Sequence, residues 1–195
     1  MATGDLTTLA NVKGWLSPPL TTTADDALLT RLITAASRFI ETWLDRQIAS
    51  QAYSERRDGI GGVKLAFANV PVTAVSSLAI DGIAIPPAPD PNTPGYVFSA
   101  TLLYLQGAIA GGTKNIYRFS PGFQNVAVSY TAGYATTPPE IEQACIELIV
   151  LRYKERDRIG QVSKNLAGEV VAFTQKDMPA DVQTILNQYR RTFAP

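Results

Sequence analysis

The residues that could do chemistry in this chain are few, and their spacing argues against a reaction. Histidine, the usual general base near neutral pH and the most frequent metal ligand, is absent from all 195 residues. The single cysteine, Cys145, cannot form an internal disulfide, and its neighbours Ala144, Ile146 and Leu148 mark it as a small buried hydrophobe. Zinc sites and Cys–His nucleophiles are therefore out, and no cofactor is expected. Two carboxylate pairs, Asp25–Asp26 and Glu140–Glu142, have the composition of acid–base or metal chemistry. Each falls in the first turn of an expected helix, where the dipole favours negative charge, and that placement accounts for both. The stretch Gly107–Lys114, GAIAGGTK, imitates a phosphate-binding loop. A P-loop needs lysine directly after its last glycine, then Ser or Thr, and a helix to follow. Here Thr113 precedes Lys114 and the next residues read as strand, so the stretch is read as a glycine hairpin. The run Arg152–Arg158, RYKERDR, mixes signs and allows local pairs such as Arg152–Glu155, which fits a solvated helix end.

Composition narrows the class further. An apolar fraction of 46% is ample for a core, and 17 basic residues balance 17 acidic ones. The balance is also local: 4 basic against 5 acidic to Ser50, 5 against 4 from Gln51 to Thr137, and 8 against 8 thereafter. No segment has the basic excess of a phosphate-tracking protein, so nucleic-acid contact is expected to be passive. The N-terminus lacks a signal-peptide pattern, and no apolar run approaches the roughly 20 residues that span a bilayer. The expected setting is a reducing, soluble compartment.

Stepping along the chain, Leu6–Leu16 carries helical spacing with Asp5 as its expected N-cap, and Ser17-Pro18-Pro19 stops it. A second, clearly amphipathic helix is expected from Ala24 to Ile48, with Leu29, Leu32, Ile33, Ala36, Ile40, Trp43 and Leu44 on its apolar stripe. The period then changes to two. Strands are expected over Ala52–Arg57, Val63–Phe67, Val75–Ile80, Gly82–Ile85, Tyr96–Phe98, Leu102–Leu105, Ile116–Phe119 and Val126–Thr131. Asp81-Gly82 signals a two-residue hairpin, and Pro86–Gly95 an extended surface loop. From Val128 the chain passes through a strand, a Gly-Tyr turn and two prolines into a helix expected over Pro138–Arg158. That helix is apolar except for a seam of Glu140, Gln143, Glu147, Lys154 and Arg158, so burial on several sides is expected, part of it by a neighbouring copy. Gly160 ends it. Gln161–Met178 reads as a long connection with an apolar run, Val170–Phe173, and a last helix starts at Pro179 with Val182, Ile185, Leu186, Tyr189 and Phe193 in line. The fold class is α+β: a bundle of about four helices with an inserted antiparallel β subdomain over 51–133, flanked by helical segments 1–50 and 134–195.

Four segments together resemble the head–tail connector, or adaptor, proteins of tailed bacteriophages and gene transfer agents. They are LTTLANVKGWL with its following break, DDALLTRLITAASRFIETWLDRQ, VSYTAGYATTPPEIEQACIELIVLRYKERD and MPADVQTILNQYRR. The β region from Tyr53 to Thr131 matches only in position. The resemblance implies a non-catalytic protein of the virion, assembled in the bacterial host cytoplasm and away from membranes. It further implies a ring of roughly twelve copies beneath the portal protein that extends the DNA channel and touches genome DNA passively. Such a ring presents a platform to the next connector, the stopper, or to a tail protein. On this reading Tyr189, Arg190, Arg191 and Phe193 dock on the portal. Ile141, Cys145, Leu148, Arg152 and Arg156 of the central helix, with Trp43 of the second, form the subunit interface. The competing class is a carbohydrate- or protein-binding β module with helical flanks.

Overall fold

Helix α1 (Leu9–Trp15) begins where Thr8, in extended backbone, accepts a hydrogen bond from the Asn11 N–H at 3.2 Å. The cap is therefore Thr8 and not the expected Asp5, which instead accepts from the Thr34 hydroxyl at 3.0 Å. The apolar spacing from Leu6 is misleading here, because Leu6 enters the core before the helix starts and its N–H donates to Ser37 Oγ at 2.9 Å. Here and throughout, a computed structural model describes residues 4–107, 117–156 and 178–190, and the backbone alone at 109–110, 113–114, 163–166 and 169–172.

Helix α2 (Asp26–Leu44) buries Leu29, Ile33, Ala36, Ile40 and Leu44, the expected stripe. It stops short of Ile48 because Asp45 turns left-handed at φ 52°. The Asp45 and Arg46 N–H groups then close on the Thr42 and Glu41 carbonyls, both at 3.2 Å, a Schellman arrangement. Ile48 is still buried, since the chain doubles back: the buried Glu41 carboxylate accepts from Arg38 Nη1 at 2.7 Å and from the Ile48 N–H at 3.4 Å.

The chain divides into two compact units, one made of Met1–Ile48 with Thr136–Pro195 and the other of Ala49–Ala135. The first contains α1, α2, α3 (Pro139–Glu155) and α4 (Ala180–Asn187). Helix α3 is its axis. Ile141, Ala144, Cys145, Ile146, Leu148, Ile149 and Val150 are buried, and α1, α2 and α4 all pack on it. These seven side chains are buried within the chain itself, while Leu151 stays partly exposed. Arg158 and Gly160, the expected end of α3, lie outside the described residues. Within the expected long connection, Ser163–Leu166 pairs antiparallel with Glu169–Ala172, a hairpin that the sequence reading treats as loop. Phe173 lies outside the described residues.

In the second unit, strand β1 (Gln51–Gly59) pairs with β9 (Gly122–Ala132), β9 with β3 (Val72–Ile80), and β3 with β4 (Ile83–Ile85), all antiparallel. A second sheet runs β2 (Lys64–Ala66), β6 (Leu102–Gln106), β5 (Gly95–Phe98). The central strand β9 alternates as a half-buried strand should: Val126, Val128, Tyr130 and Ala132 point into the core shared with Leu65, Phe67, Leu103, Leu105 and Phe119. Asp81 and Gly82 take φ of 52° and 80°, the two positive values a tight hairpin needs, between the paired Ile80 and Ile83. Ile109–Ala110 (β7) pairs with Thr113–Lys114 (β8), so the glycine stretch is a hairpin and not a phosphate loop. The strand expected at Ile116–Phe119 is absent over 117–119, and Ile116 lies outside the described residues. Phe119 is buried through loop bonds instead: its N–H donates to the Gly62 carbonyl at 2.8 Å, and its carbonyl accepts from Gly61 at 2.7 Å. The fold is α+β, four described helices with antiparallel sheets between them in sequence.

Candidate interaction surfaces

Of the expected portal-docking residues, Tyr189 is held inside the helical unit. Its hydroxyl donates to Glu140 Oε2 at 3.1 Å, and its carbonyl accepts from Arg46 Nη1 at 3.2 Å. Arg190 is exposed just beyond, its N–H reaching the Asn187 carbonyl at 3.4 Å. Arg191 and Phe193 lie outside the described residues.

The expected subunit interface divides. Ile141, Cys145 and Leu148 are fully buried within the protomer and present no surface to another copy, so they belong to the core and not to an interface. Burial pushes the Cys145 thiol up to about 12, with the neighbouring Ser37 hydroxyl acting in the opposite direction, and an un-ionised thiol is chemically quiet. Arg152 and Arg156 serve intramolecular contacts. The Arg152 guanidinium lies 4.9 Å from the Phe39 ring centre, and that of Arg156 lies 4.3 Å from the Tyr153 ring and 3.6 Å from Asp25. Tyr153 donates to the other Asp25 oxygen, a bond that raises the phenol above its usual range. The run read as a solvated helix end therefore clamps the start of α2. Trp43 is half-buried on α2, and its indole N–H is buried without a hydrogen-bond partner among the described residues.

The largest exposed apolar side chains were not among the expected site residues. Phe123 is 83% exposed, Ile60 77% and Ile83 68%, all at the end of the four-stranded sheet where β1 finishes and β9 begins. Hydrogen bonds fix this end. Gly59 donates to Asn125 Oδ1 at 2.9 Å, Gln124 N–H donates to Asp58 at 2.7 Å, and Asn125 and Ser120 both donate to Asp81. Those donors hold the Asp81 carboxyl below its usual range, Ser120 contributing most. Gly59 is required, since a Cβ there would stand 1.9 Å from the Ser120 carbonyl oxygen. A signal for Phe123 exists in the sequence: the buried residues of β9 are even-numbered, and Phe123 is out of phase with them.

The helical unit has a shallow apolar cleft on α1. A cleft of about 570 Å³ is lined by Leu9, Ala10, Lys13, Gly14, Pro19 and Leu20, and Trp15 beside it is 53% exposed. Lys13, its one charged liner, donates to Asp26 Oδ1 and to the Thr22 carbonyl, both at 2.7 Å. Among the described residues no group of three Cys, Asp or Glu side chains is placed to hold a metal ion, and no helix is long and apolar enough to cross a membrane.

A family model described as head completion protein matches residues 5–192, which takes in both units. Among solved structures, a chain in the neck of an empty gene transfer agent particle computed with C6 symmetry is similar at 20% identity and a TM-score of 0.58, covering 100% of this chain and 94% of that one. A chain in the virion of a native gene transfer agent particle is similar at 18% identity and a TM-score of 0.50, covering 88% and 81%. At such identities these likenesses concern the fold. No curated protein matches the sequence.

Proposed function

Because the chain belongs to the head completion protein family, we propose that it works as a structural ring at a head–tail junction, seated under the portal and prolonging the DNA channel toward the next connector or tail protein. The observation that carries this reading is the family match across residues 5–192, since it embraces the β unit as well as the helices. The four segments that resemble head–tail connectors all fall within that span or at its edge. Local charge neutrality suits a channel wall past which DNA slides without being held. The portal-facing element is the end of the chain, Tyr189 to Phe193, with Tyr189 fixing its root to Glu140 and Arg46. The assignment is non-catalytic. Assembly takes place in the host cytoplasm and the finished ring stays in the virion.

The test is particle assembly. Removing the gene from its producing phage or particle system is expected to leave DNA-filled heads without tails in electron micrographs, with tailed particles restored by the intact gene. Truncation after Tyr189, which keeps the bond to Glu140, is expected to give a folded protein that no longer joins portal-bearing heads. Normal tailed particles in the deletion strain would remove the assignment altogether.

A further inference from the structure

From Gly82 to Gly107 the only charged residue is Asp90, where the chain's average of 17% would place about four. Within that stretch the link from β4 to β5 reads PPAPDPNTP over Pro86–Pro94. Every residue from Pro86 to Pro89 is a proline or precedes one, so this backbone is restricted to extended, polyproline-like conformations before any tertiary contact forms. The fold then fastens the run. The Tyr96 N–H donates to the Pro86 carbonyl at 3.0 Å and the Ala88 N–H to the Tyr96 carbonyl at 2.8 Å, a parallel bridge to β5. Asp90 closes a turn, its Oδ1 accepting from the Asn92 and Thr93 N–H groups at 2.8 and 2.9 Å, and Gln106 Nε2 donates to the Asp90 carbonyl at 2.6 Å. Gly95 permits the close approach, because a Cβ there would stand 2.5 Å from the Pro86 carbonyl oxygen. Yet Pro86, Pro87 and Pro89 remain exposed, as do Val97 and Phe98, which line a cleft of about 360 Å³ along the Pro87–Ala88 side of the run. The outcome is a stiff apolar ridge that the fold holds and does not cover.

We propose that the Pro86–Pro89 ridge, with Val97 and Phe98 beside it, docks into an aromatic-lined groove on a different protein. Shape and chemistry select that partner. A proline run already held extended loses little conformational entropy on binding, and its rings pack on the faces of tryptophan and tyrosine. Among the described residues the Pro87 and Pro89 carbonyls accept no hydrogen bond, so an indole N–H or a phenol in the groove has acceptors to meet. Depletion of charge marks the centre of a protein–protein contact, and a surface whose one charged residue is acidic repels nucleic acid and anionic lipid. The α1 cleft of a second copy is no such groove, its lining being aliphatic apart from Lys13. This surface is independent of the ring reading above.

Photo-cross-linking of the full chain in the producing cell tests the assignment. A benzophenone amino acid replaces Ala84 or Asn92, which are exposed on either side of the ridge and leave it uncovered, and the cross-linked peptides are mapped by mass spectrometry. The expected product joins one of these positions to a tryptophan- or tyrosine-bearing segment of a different protein. With that protein purified, Pro87→Ser and Pro89→Ser are each expected to raise Kd about tenfold, and alanine at the partner's aromatic residue to do the same. Neither serine variant removes a bond made by Pro86, Ala88 or Asp90, and unchanged circular dichroism confirms the fold of each. Cross-links only to a second copy or to DNA, or no cross-link from either position, overturn the proposal, as does an affinity that both serine variants leave unchanged. None of these outcomes bears on the ring, which the gene deletion tests.

Discussion

In the helical unit the most apolar element, α3, has seven side chains from Ile141 to Val150 buried by its own chain, whereas the β unit leaves Phe123, Ile60 and Ile83 exposed at the end of its best-paired strands. The joints differ as well. Side chains distant in sequence tie the helices together: Glu142 accepts from Thr7 at 3.0 Å and Asn11 at 2.7 Å, and Asp25 takes Tyr153 and Arg156. In the β unit the backbone ladder does most of this, and side chains add knots along it, one where the Tyr130 hydroxyl donates to Glu55 and accepts from Asn69 and another where Asn125 and Ser120 donate to Asp81. The contrast teaches that a helix apolar all round marks a core. An aromatic out of phase on a strand marks a surface free to meet a partner.

The strongest way to break this comparison is Leu148→Glu. Leu148 is fully buried, so burying a carboxylate in its place is expected to cost more than about 4 kcal/mol and abolish cooperative folding. A folded, soluble monomer, seen by circular dichroism and sedimentation, would mean that α3 faces a neighbour after all. Next comes Tyr130→Phe, which leaves Glu55 and the Asn69 N–H short of a partner in a part-buried site and is expected to lower stability by about 1–3 kcal/mol in urea titrations. The same residue sets a pH signature. Burial, with the bond to Glu55 behind it, pushes the phenol up to about 12, while an unfolded tyrosine titrates near 10.0. Above pH 10 the unfolded chain thus binds fewer protons than the native one, and Tyr130's contribution, complete below pH 10, is lost as pH rises to about 12. The variant is expected to lack that part of the alkaline loss.

Much of this architecture was legible in the sequence. The α2 stripe, the Asp81-Gly82 turn and the even-numbered burial of β9 all follow from periodicity, and the resemblance to head–tail connectors agrees with the family to which the chain belongs. Errors arose where tertiary bonds replace local ones. Leu6 and Ile48 have helical spacing but are buried by non-helical chain, their N–H groups held by the side chains of Ser37 and Glu41. Ile141, Cys145 and Leu148 are expected at an interface from the resemblance to connectors, and sequence alone does not reveal that the folded chain buries them completely. Ile60 falls between two expected strands and Phe123 before the expected Val126–Thr131, so periodicity assigns neither of them a face.

A smaller effect separates the joints of the two units. Asp25→Asn removes the ion pair with Arg156 and weakens the acceptor for Tyr153, both partly exposed, and is expected to cost about 1 kcal/mol or less. Its diagnostic readout is the Tyr153 phenol, raised chiefly by its bond to Asp25, which should titrate at lower pH in the variant. An unchanged Tyr153 titration would mean that the clamp between the start of α2 and the end of α3 does not persist in solution.

The smallest expected effect on stability is the most informative about assembly. Phe123 is 83% exposed and its ring lies outside the core shared by the two sheets. Phe123→Ser therefore removes almost no buried area, and the urea midpoint should move by no more than about 0.5 kcal/mol equivalent. The backbone at this position is held by neighbours that the substitution leaves intact, the Asp58 bond to the Gln124 N–H and the Asn125 bond to the Gly59 N–H. A loss of ring formation with the fold unchanged would separate a core role for α3 from a contact role for the end of the β unit. A stability loss as large as that of a core residue would instead place Phe123 inside the β unit's own packing and erase the contrast between the two regions.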